Sequence, residues 1–336
     1  MPLVDLETIA GPGRFHYTLS TPTDANAKAI VEGIPTLILI HPVYLGSHVF
    51  HPIYADPMLR RFNLVAIDLR LHGRTSAKVE NTYGRETAAR DVLMLMGVLK
   101  LPPCHIMGVA MGACIALQMA VLAPEKVLST FMFSPPPLKE PPGSAGGRQE
   151  IFDYWVAGFR DPANVDRMAL EDAIVGSLQL AYNNIVSNMA TSMLSLAISD
   201  AMRNWNPADF DSLHTVTVKF FLDLDPHPLA DLARIRGPIA LIHCSEDIAY
   251  PLHYCEEFLD LLHRAGLDAK IYIIDGAPHL GNVTHWRETN ALLHDFLVDN
   301  SAGMVIPSAE PRVESPFHAA LLRAGLQEGD SDDDSD

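Results

Sequence analysis

Cysteine is scarce in this sequence, and an excess of positive charge is absent. The four cysteines form no CxxC pair and no spacing typical of a zinc site, so no metal is expected; they are Cys104, Cys114, Cys244 and Cys255. Aspartate and glutamate number 41 against 24 lysines and arginines, which gives a net charge of −17 at pH 7. Nucleic acid and anionic membranes select a basic face, so neither is predicted as a partner.

The sequence also shows no pattern typical of a signal peptide or of a membrane-spanning segment. The N-terminal MPLVDLETIAGPG has no basic stretch followed by an apolar core, and no apolar run approaches the length of a membrane span. We therefore expect a cytoplasmic protein. The last ten residues, QEGDSDDDSD, carry six acids and no base. They are predicted to form a solvated, disordered tail, and a partner-binding role for that tail is the less favoured interpretation.

Short apolar runs rich in β-branched residues recur between amphipathic helical stretches. Their apolar character is continuous, which indicates strands buried on both faces, as in a parallel sheet. The alternation predicts an α/β fold with a mostly parallel central sheet flanked by helices. The predicted strands lie at 36–42, 62–69, 105–110, 127–134, 238–244 and 270–276, and helices are predicted at 86–99 and 252–264.

One interval, residues 139–235, breaks this rhythm. It follows a segment rich in proline and glycine, PPPLKEPPGSAGG, and continues with a helical pattern. Only residues 215–221, TVTVKFF, are ambiguous between strand and helix. The interval is predicted to be a helical insertion laid over one edge of the sheet.

The stretch HIMGVAMGACIALQMA, residues 105–120, predicts a buried strand, a tight turn and a helix. Gly108 and Gly112 flank the turn, and Ala110 lies at its centre. In G-x-S-x-G turns of this kind, the central serine is a nucleophile. Taken alone, the match is better read as a plain strand–helix turn with two convenient glycines.

Two further residues accompany the turn. Asp247 follows the predicted strand 238–244, and His279 follows the predicted strand 270–276. His279 could be a structural hydrogen-bonding residue, Asp247 could cap the helix that begins near Pro251, and Glu246 is a rival acid. Because turn, acid and histidine follow three separate buried strands in this order, the functional interpretation is favoured.

The turn, the acid and the histidine are accompanied by a fourth feature, the stretch DLRLHGRTS at residues 68–76. On these features, the chain resembles the α/β-hydrolase superfamily over residues 14–299. That stretch is similar to D-x-R-G-x-G-x-S of the family, with Leu71 in place of the first glycine. The overall pattern resembles fungal members. The resemblance implies an α/β-hydrolase core (1–138 and 236–300), a helical cap inserted after the sixth strand (139–235), and a C-terminal extension with the acidic tail (301–336).

The resemblance also implies roles for individual residues. Ala110 occupies the nucleophile position, His279 matches the general base, and Asp247 matches the acid that orients it. The backbone amides of Val43 and Met111 match the oxyanion-hole donors, and Pro42 stands where the family usually has glycine. Candidates for contact with a small, partly apolar substrate are His41, Tyr44, Trp155 and Tyr182, although packing is the alternative for the cap aromatics. No cofactor is implied. His48 and His51 are interpreted as loop residues.

An alanine at the nucleophile position closes the acyl-enzyme route, because a methyl group cannot attack a carbonyl. Ser134 and Ser245 are expected nearby, but neither is on the turn. Three interpretations remain: a serine replaced by engineering, a natural member whose chemistry uses the His279–Asp247 pair without serine, or a binding protein that lost catalysis. Since both His279 and Asp247 are present, an ester- or acyl-hydrolase type is favoured. The sequence predicts no oligomeric state.

Overall fold

Nine strands form a single sheet in the computed structural model, which describes residues 2–161, 164–185 and 187–327. The acidic residues 328–336, for which a disordered tail is predicted, lie outside the described residues. The strands are β1 Leu3–Thr8, β2 Gly11–Ser20, β3 Thr36–Ile40, β4 Asn63–Ile67, β5 Ser76–Ala77, β6 Cys104–Val109, β7 Val127–Phe133, β8 Ile239–Cys244 and β9 Ala269–Ile274.

The strand order is β1-β2-β4-β3-β6-β7-β8-β9, with β5 paired to β2. Strands β3, β4 and β6 to β9 are parallel, so the predicted mostly parallel sheet is confirmed. The antiparallel strands β1, β2 and β5 were not predicted. Strand β1 is largely exposed and β5 has two residues, so neither produces a continuous apolar run.

Helices cover both faces of the sheet. Successive residues of β3 face opposite sides: Ile38 and Ile40 join one apolar core, and Leu37 and Leu39 the other. The helices are α1 His51–Ala55, α2 Arg85–Val98, α3 Met111–Leu122, α4 Pro142–Gly158, α5 Arg167–Tyr182, α6 Asn188–Asn204, α7 Phe210–His214, α8 Phe220–Leu222, α9 Leu229–Leu232, α10 Leu252–Arg264, α11 Gly281–Thr284, α12 Trp286–Asp299 and α13 His318–Arg323.

Helices α4 to α9 lie between β7 and β8, in the helical insert (residues 139–235). The insert follows the seventh strand of the chain, or the sixth when the two-residue β5 is not counted. The ambiguous residues 215–221 form a π-helical turn, Thr215–Lys219, that runs into α8. Thr215 and Thr217 satisfy their hydroxyls within the helix by donating to the carbonyls of Asp211 and Leu213.

The chain after α12 packs back onto the core. The Val305 N–H donates to the Gly33 carbonyl, and the Phe317 ring meets the Tyr54 ring edge-on at 5.2 Å. Helix α13 packs against α6 of the helical insert, with Leu321 fully buried. None of the helices described is long and apolar enough to cross a membrane.

Candidate active site

The turn between β6 and α3 is tight enough to require both of its glycines. A Cβ on Gly108 would lie 2.1 Å from the Gly112 carbonyl oxygen, and a Cβ on Gly112 would lie 2.1 Å from the Ile40 carbonyl oxygen. Ala110, between them, has φ 47° and ψ −111°, a conformation that strains a residue with a Cβ. The tight turn predicted between strand and helix is therefore present and strained, with a methyl group at its centre.

Asp247 and His279 are joined across two loops. The Nδ1 atom of His279 lies 2.6 Å from Asp247 Oδ2, and the two side chains are 6% and 1% exposed. The other carboxylate oxygen accepts hydrogen bonds from the N–H groups of Ala249 and Tyr250 at 2.9 and 3.0 Å. Asp247 thus holds its own turn before α10 and also orients the imidazole. Glu246, the rival acid, is exposed.

The far side of the His279 ring is free. With Nδ1 donating to the carboxylate, Nε2 becomes the basic nitrogen, and it has no hydrogen-bond partner among the residues described. The Tyr250 ring packs edge-on against the imidazole, with 5.5 Å between ring centroids. This arrangement fixes the ring and leaves Nε2 available to accept a proton.

The serines considered as substitutes have other partners. Ser134 Oγ donates to Cys244 Sγ at 3.5 Å, and Ser245 Oγ donates to Asp275 Oδ1 at 3.2 Å. Burial raises the pKa of the Cys114 thiol to about 12, which disfavours its thiolate. None of these groups makes a hydrogen bond to His279 in the described part of the chain.

Two backbone amides match the expected oxyanion donors. Met111 is the first residue of α3, where N–H groups have no partner within the helix. Val43 lies in the loop after β3. Neither N–H donates to a group in the described part of the chain. Pro42, which precedes Val43, accepts a hydrogen bond on its carbonyl from His41 Nδ1 at 2.7 Å.

His41, predicted to contact substrate, is not among the residues that line the apolar cavity described below. Its ring is fully buried, and Nε2 accepts from the Leu69 N–H at 2.9 Å. Burial lowers the pKa of His41 to about 4, so the neutral ring ties two loops together. His48 and His51 are also not loop residues. They lie in buried helical turns, where His48 bonds the Met193 carbonyl and His51 bonds Ser315.

Asp68, in the DLRLHGRTS stretch, supports the same loops and was not singled out from the sequence. It accepts hydrogen bonds from the Ser47 and Arg74 N–H groups at 2.9 Å. Burial acts to raise its pKa, but the hydrogen bond from His16 Nδ1 at 2.7 Å helps hold the pKa of Asp68 well below its usual range. A Cβ on Gly73 would overlap this carboxylate, which explains the glycine of the motif.

A small apolar cavity of about 60 Å³ lies between the sheet loops and the helical insert. Tyr44, Trp155 and Tyr182 line it, as do Val43 and Leu280, the residue after His279. Ala110, Asp247 and His279 are not among its lining residues. A cavity of this volume holds a few water molecules. Trp155 also has a structural role, because its Nε1–H donates a hydrogen bond to the Trp205 carbonyl.

In the described part of the chain, no group of three or more histidine, cysteine, aspartate or glutamate side chains is arranged to hold a metal ion. A buried ion pair of Arg148 with Glu140 is bonded to the hydroxyl of Tyr250, whose ring packs against His279. Sequence reasoning missed this pair. The only available signal was that Tyr250 follows Asp247 by three residues.

A family model described as the alpha/beta hydrolase fold matches residues 35–285, which include the turn, Asp247 and His279. The chain belongs to the α/β-hydrolase fold family. The predicted resemblance is confirmed at this level, together with the fold it implied.

Several known proteins resemble the chain at low identity. It is 29% identical over 278 residues to the dihydrolipoyllysine-residue acetyltransferase component of an acetoin cleaving system from Pseudomonas putida, covering 79% of this chain and 64% of that one. A thermophilic esterase from Thermogutta terrifontis superposes with a TM-score of 0.67 at 13% identity, over 90% of this chain and all of the esterase. An enol-lactonase from Burkholderia xenovorans LB400 has a TM-score of 0.64 at 16% identity, over 88% of this chain and all of the lactonase.

Proposed function

We propose that this α/β-hydrolase carries the site of an ester or acyl hydrolase in which Ala110 replaces the serine nucleophile. One observation carries the proposal: the chain combines the strained turn at Ala110 with a buried His279–Asp247 hydrogen bond and with two unpartnered backbone amides, at Val43 and Met111. A protein with no use for acyl chemistry has no need of this combination.

Each part has a defined task when a serine occupies position 110. His279 Nε2 removes the serine proton as the oxygen attacks the carbonyl, and Asp247 stabilises the imidazolium that forms. The Val43 and Met111 amides stabilise the oxyanion, and His279 then returns the proton to the leaving group. With Ala110, the covalent route is closed, and loss of a triad nucleophile lowers turnover by on the order of 10⁶.

The proposed substrate is a small, partly apolar ester. Its class is supported by the apolar cavity walls at Tyr44, Trp155 and Tyr182, with the helical insert acting as a cap. Two structural neighbours, an esterase and an enol-lactonase, are named for the same carbonyl chemistry.

The test compares ester hydrolysis by three purified forms: the chain as it stands, Ala110→Ser, and Ala110→Ser with His279→Ala. Short and medium acyl esters are the substrates. We expect Ala110→Ser to raise kcat by at least about 10³-fold, because the supporting groups are already in place, and His279→Ala to remove that gain. A folded Ala110→Ser form with no more activity than the parent chain would contradict the proposal.

A second function is favoured by the unpartnered His279 Nε2. Without a serine to deprotonate, the oriented imidazole can act directly as a general base on a carbon acid bound near the two amides. Deuterium exchange at the α-carbon of a bound ketone or ester measures this. Exchange catalysed by the chain as it stands, and lost in His279→Ala, would establish it; equal exchange by both forms would exclude it.

A further inference from the structure

The candidate acid and base lie in two loops at the same edge of the sheet. The acid loop, residues 245–251, follows β8, and the histidine loop, residues 275–280, follows β9. These strands are parallel neighbours, so the two loops leave the sheet side by side. A backbone hydrogen bond joins them: the Glu246 N–H donates to the Ala277 carbonyl at 2.9 Å.

The C-terminal turn of α5, in the helical insert, is bonded to both loops. Its Ala181 carbonyl accepts a hydrogen bond from the N–H of Leu280, the residue directly after the base, at 2.9 Å. The side-chain amide of Asn183 donates to the carbonyl of Glu246, the residue directly before the acid, at 2.5 Å. The turn of α5, the acid loop and the histidine loop are therefore bonded to one another in a closed ring.

The conformation of Asn183 aims its amide at the acid loop. Its φ of 52° lies in the left-handed region, which asparagine tolerates better than most residues, and it ends α5. The backbone N–H of Asn183 bonds the Gln179 carbonyl, so the helix end does not depend on the side chain. The side-chain Oδ1 is buried and has no partner among the described residues. Within the described part of the chain, the amide thus serves the bond to Glu246.

This bond acts on the acid loop and not on the apolar cavity. Asn183 and Glu246 are not among the residues that line the cavity, whereas Ala181 and Leu280 are. Glu246 is exposed, and the group that it contributes to the bond is its backbone carbonyl. Loss of the Asn183 amide should therefore release the acid loop and leave the cavity wall unchanged.

We propose that Asn183 is a positioning residue, whose amide holds the acid loop so that Asp247 keeps the His279 imidazole aligned. The 2.6 Å contact of the pair spans the two loops of the ring, so a shift of either loop changes it. A misplacement of about 1 Å in a catalytic group can lower turnover by about 100-fold. The inference rests on the proposed function, since it concerns the same site.

The chain as it stands tests the alignment without any catalysis. The proton between His279 and Asp247 is followed by NMR, through its rate of exchange with water. Asn183→Gly removes the amide and permits the same left-handed backbone, and Asn183→Asp keeps the shape but removes the donor. We expect each variant to speed the exchange of this proton by about fivefold or more, the equivalent of one net hydrogen bond.

Asn184→Gly is the matched control. Asn184 is the next residue, it also has a left-handed backbone, with φ 62°, and it is exposed. Its replacement should leave the exchange of the His279 proton unchanged. The buried pair of His16 with Asp68, on other loops, supplies a second such proton as an internal reference, and His279→Gln assigns the signal.

Kinetics in the Ala110→Ser form separate positioning from substrate binding. Adding Asn183→Gly should lower kcat by about tenfold or more, because the acid no longer holds the base in place. KM should change by less than about twofold, because Asn183 lines no part of the cavity. Asn184→Gly should change neither constant.

Unchanged exchange of the His279 proton in both Asn183 variants would overturn the inference, and so would an equal change in Asn184→Gly. If Ala110→Ser is active and its kcat does not respond to Asn183→Gly, the proposed function stands and the inference fails. If Ala110→Ser is inactive although the exchange responds to Asn183, the proposed function fails and the positioning of the pair stands.

Discussion

Ala110 retains a strained backbone although it has no nucleophile to present. A residue with a Cβ at φ 47° costs about 1–3 kcal/mol unless its surroundings impose that conformation. Here they do: the Ala110 N–H donates to the Phe133 carbonyl, and the flanking glycines allow α3 to approach β3 and β6 closely. The geometry of the turn is thus set by packing, and it does not depend on the serine hydroxyl.

At Gly112, a single methyl group should be severely destabilising. The Cβ of Gly112→Ala would lie 2.1 Å from the Ile40 carbonyl oxygen, so strand and helix must separate. We expect the free energy of unfolding, measured in urea, to fall by about 3 kcal/mol or more.

Gly97→Ala is the matched control for that substitution. Gly97 lies in α2, and an added Cβ would meet nothing within 4 Å. Its replacement should be neutral or stabilise by up to about 1 kcal/mol. Equal stability of the two variants would show that the close approach at Gly112 is not a constraint.

Among the elements, α13 joins the C-terminal extension to the rest of the fold. It packs against α6 of the helical insert, and the preceding Ser315 bonds His51 of α1. The C-terminal extension therefore contacts both α1 of the core and α6 of the helical insert. The insert is therefore restrained from this end of the chain.

Leu321→Ala should weaken that restraint. Leu321 is fully buried, and its truncation is expected to lower the free energy of unfolding by about 2–5 kcal/mol and to speed hydrogen exchange in α6. Arg323→Ala, at an exposed position of the same helix, should change stability by less than about 0.5 kcal/mol. If hydrogen exchange in α6 is unchanged in Leu321→Ala, the C-terminal extension does not restrain the insert.

Across the whole molecule, buried neutral histidines couple stability to pH. Burial lowers the pKa of His41, His51 and His105 to about 4, from an ordinary value near 6.5. Between about pH 6.5 and 4, the unfolded chain binds protons at these rings and the folded chain does not. The stability present above pH 6.5 is therefore lost as pH falls through this window.

The expected loss is about 1–2 kcal/mol per ring by pH 5, measured by urea unfolding from pH 7.5 to 4.5. His105→Gln should make the dependence shallower, because an amide can still bond Ser129 and Ser301 without titrating. If the free energy of unfolding of His105→Gln depends on pH as steeply as that of the parent chain, His105 does not contribute to the pH dependence of stability.

Local sequence patterns were sufficient for the parallel part of the sheet. Continuous apolar runs are required of strands covered on both faces, so β3, β4 and β6 to β9 were recognisable, with bounds within a few residues. The order of turn, acid and histidine followed from chain position alone. The largely exposed β1 and the two-residue β5 carry no such run, and they became visible only through their pairing with β2.

By itself, the sequence determined the family, the parallel strands and the glycine-flanked turn at Ala110, because each depends on residue type and on spacing along the chain. Tertiary structure decided which polar groups meet. It joined Asp247 to His279 and set His41 behind the loops instead of in the cavity. It also buried Arg148 against Glu140 and Tyr250. Except for Arg148 and Glu140, these partners are far apart in sequence. Their meeting therefore depends on how the loops and the helical insert pack together.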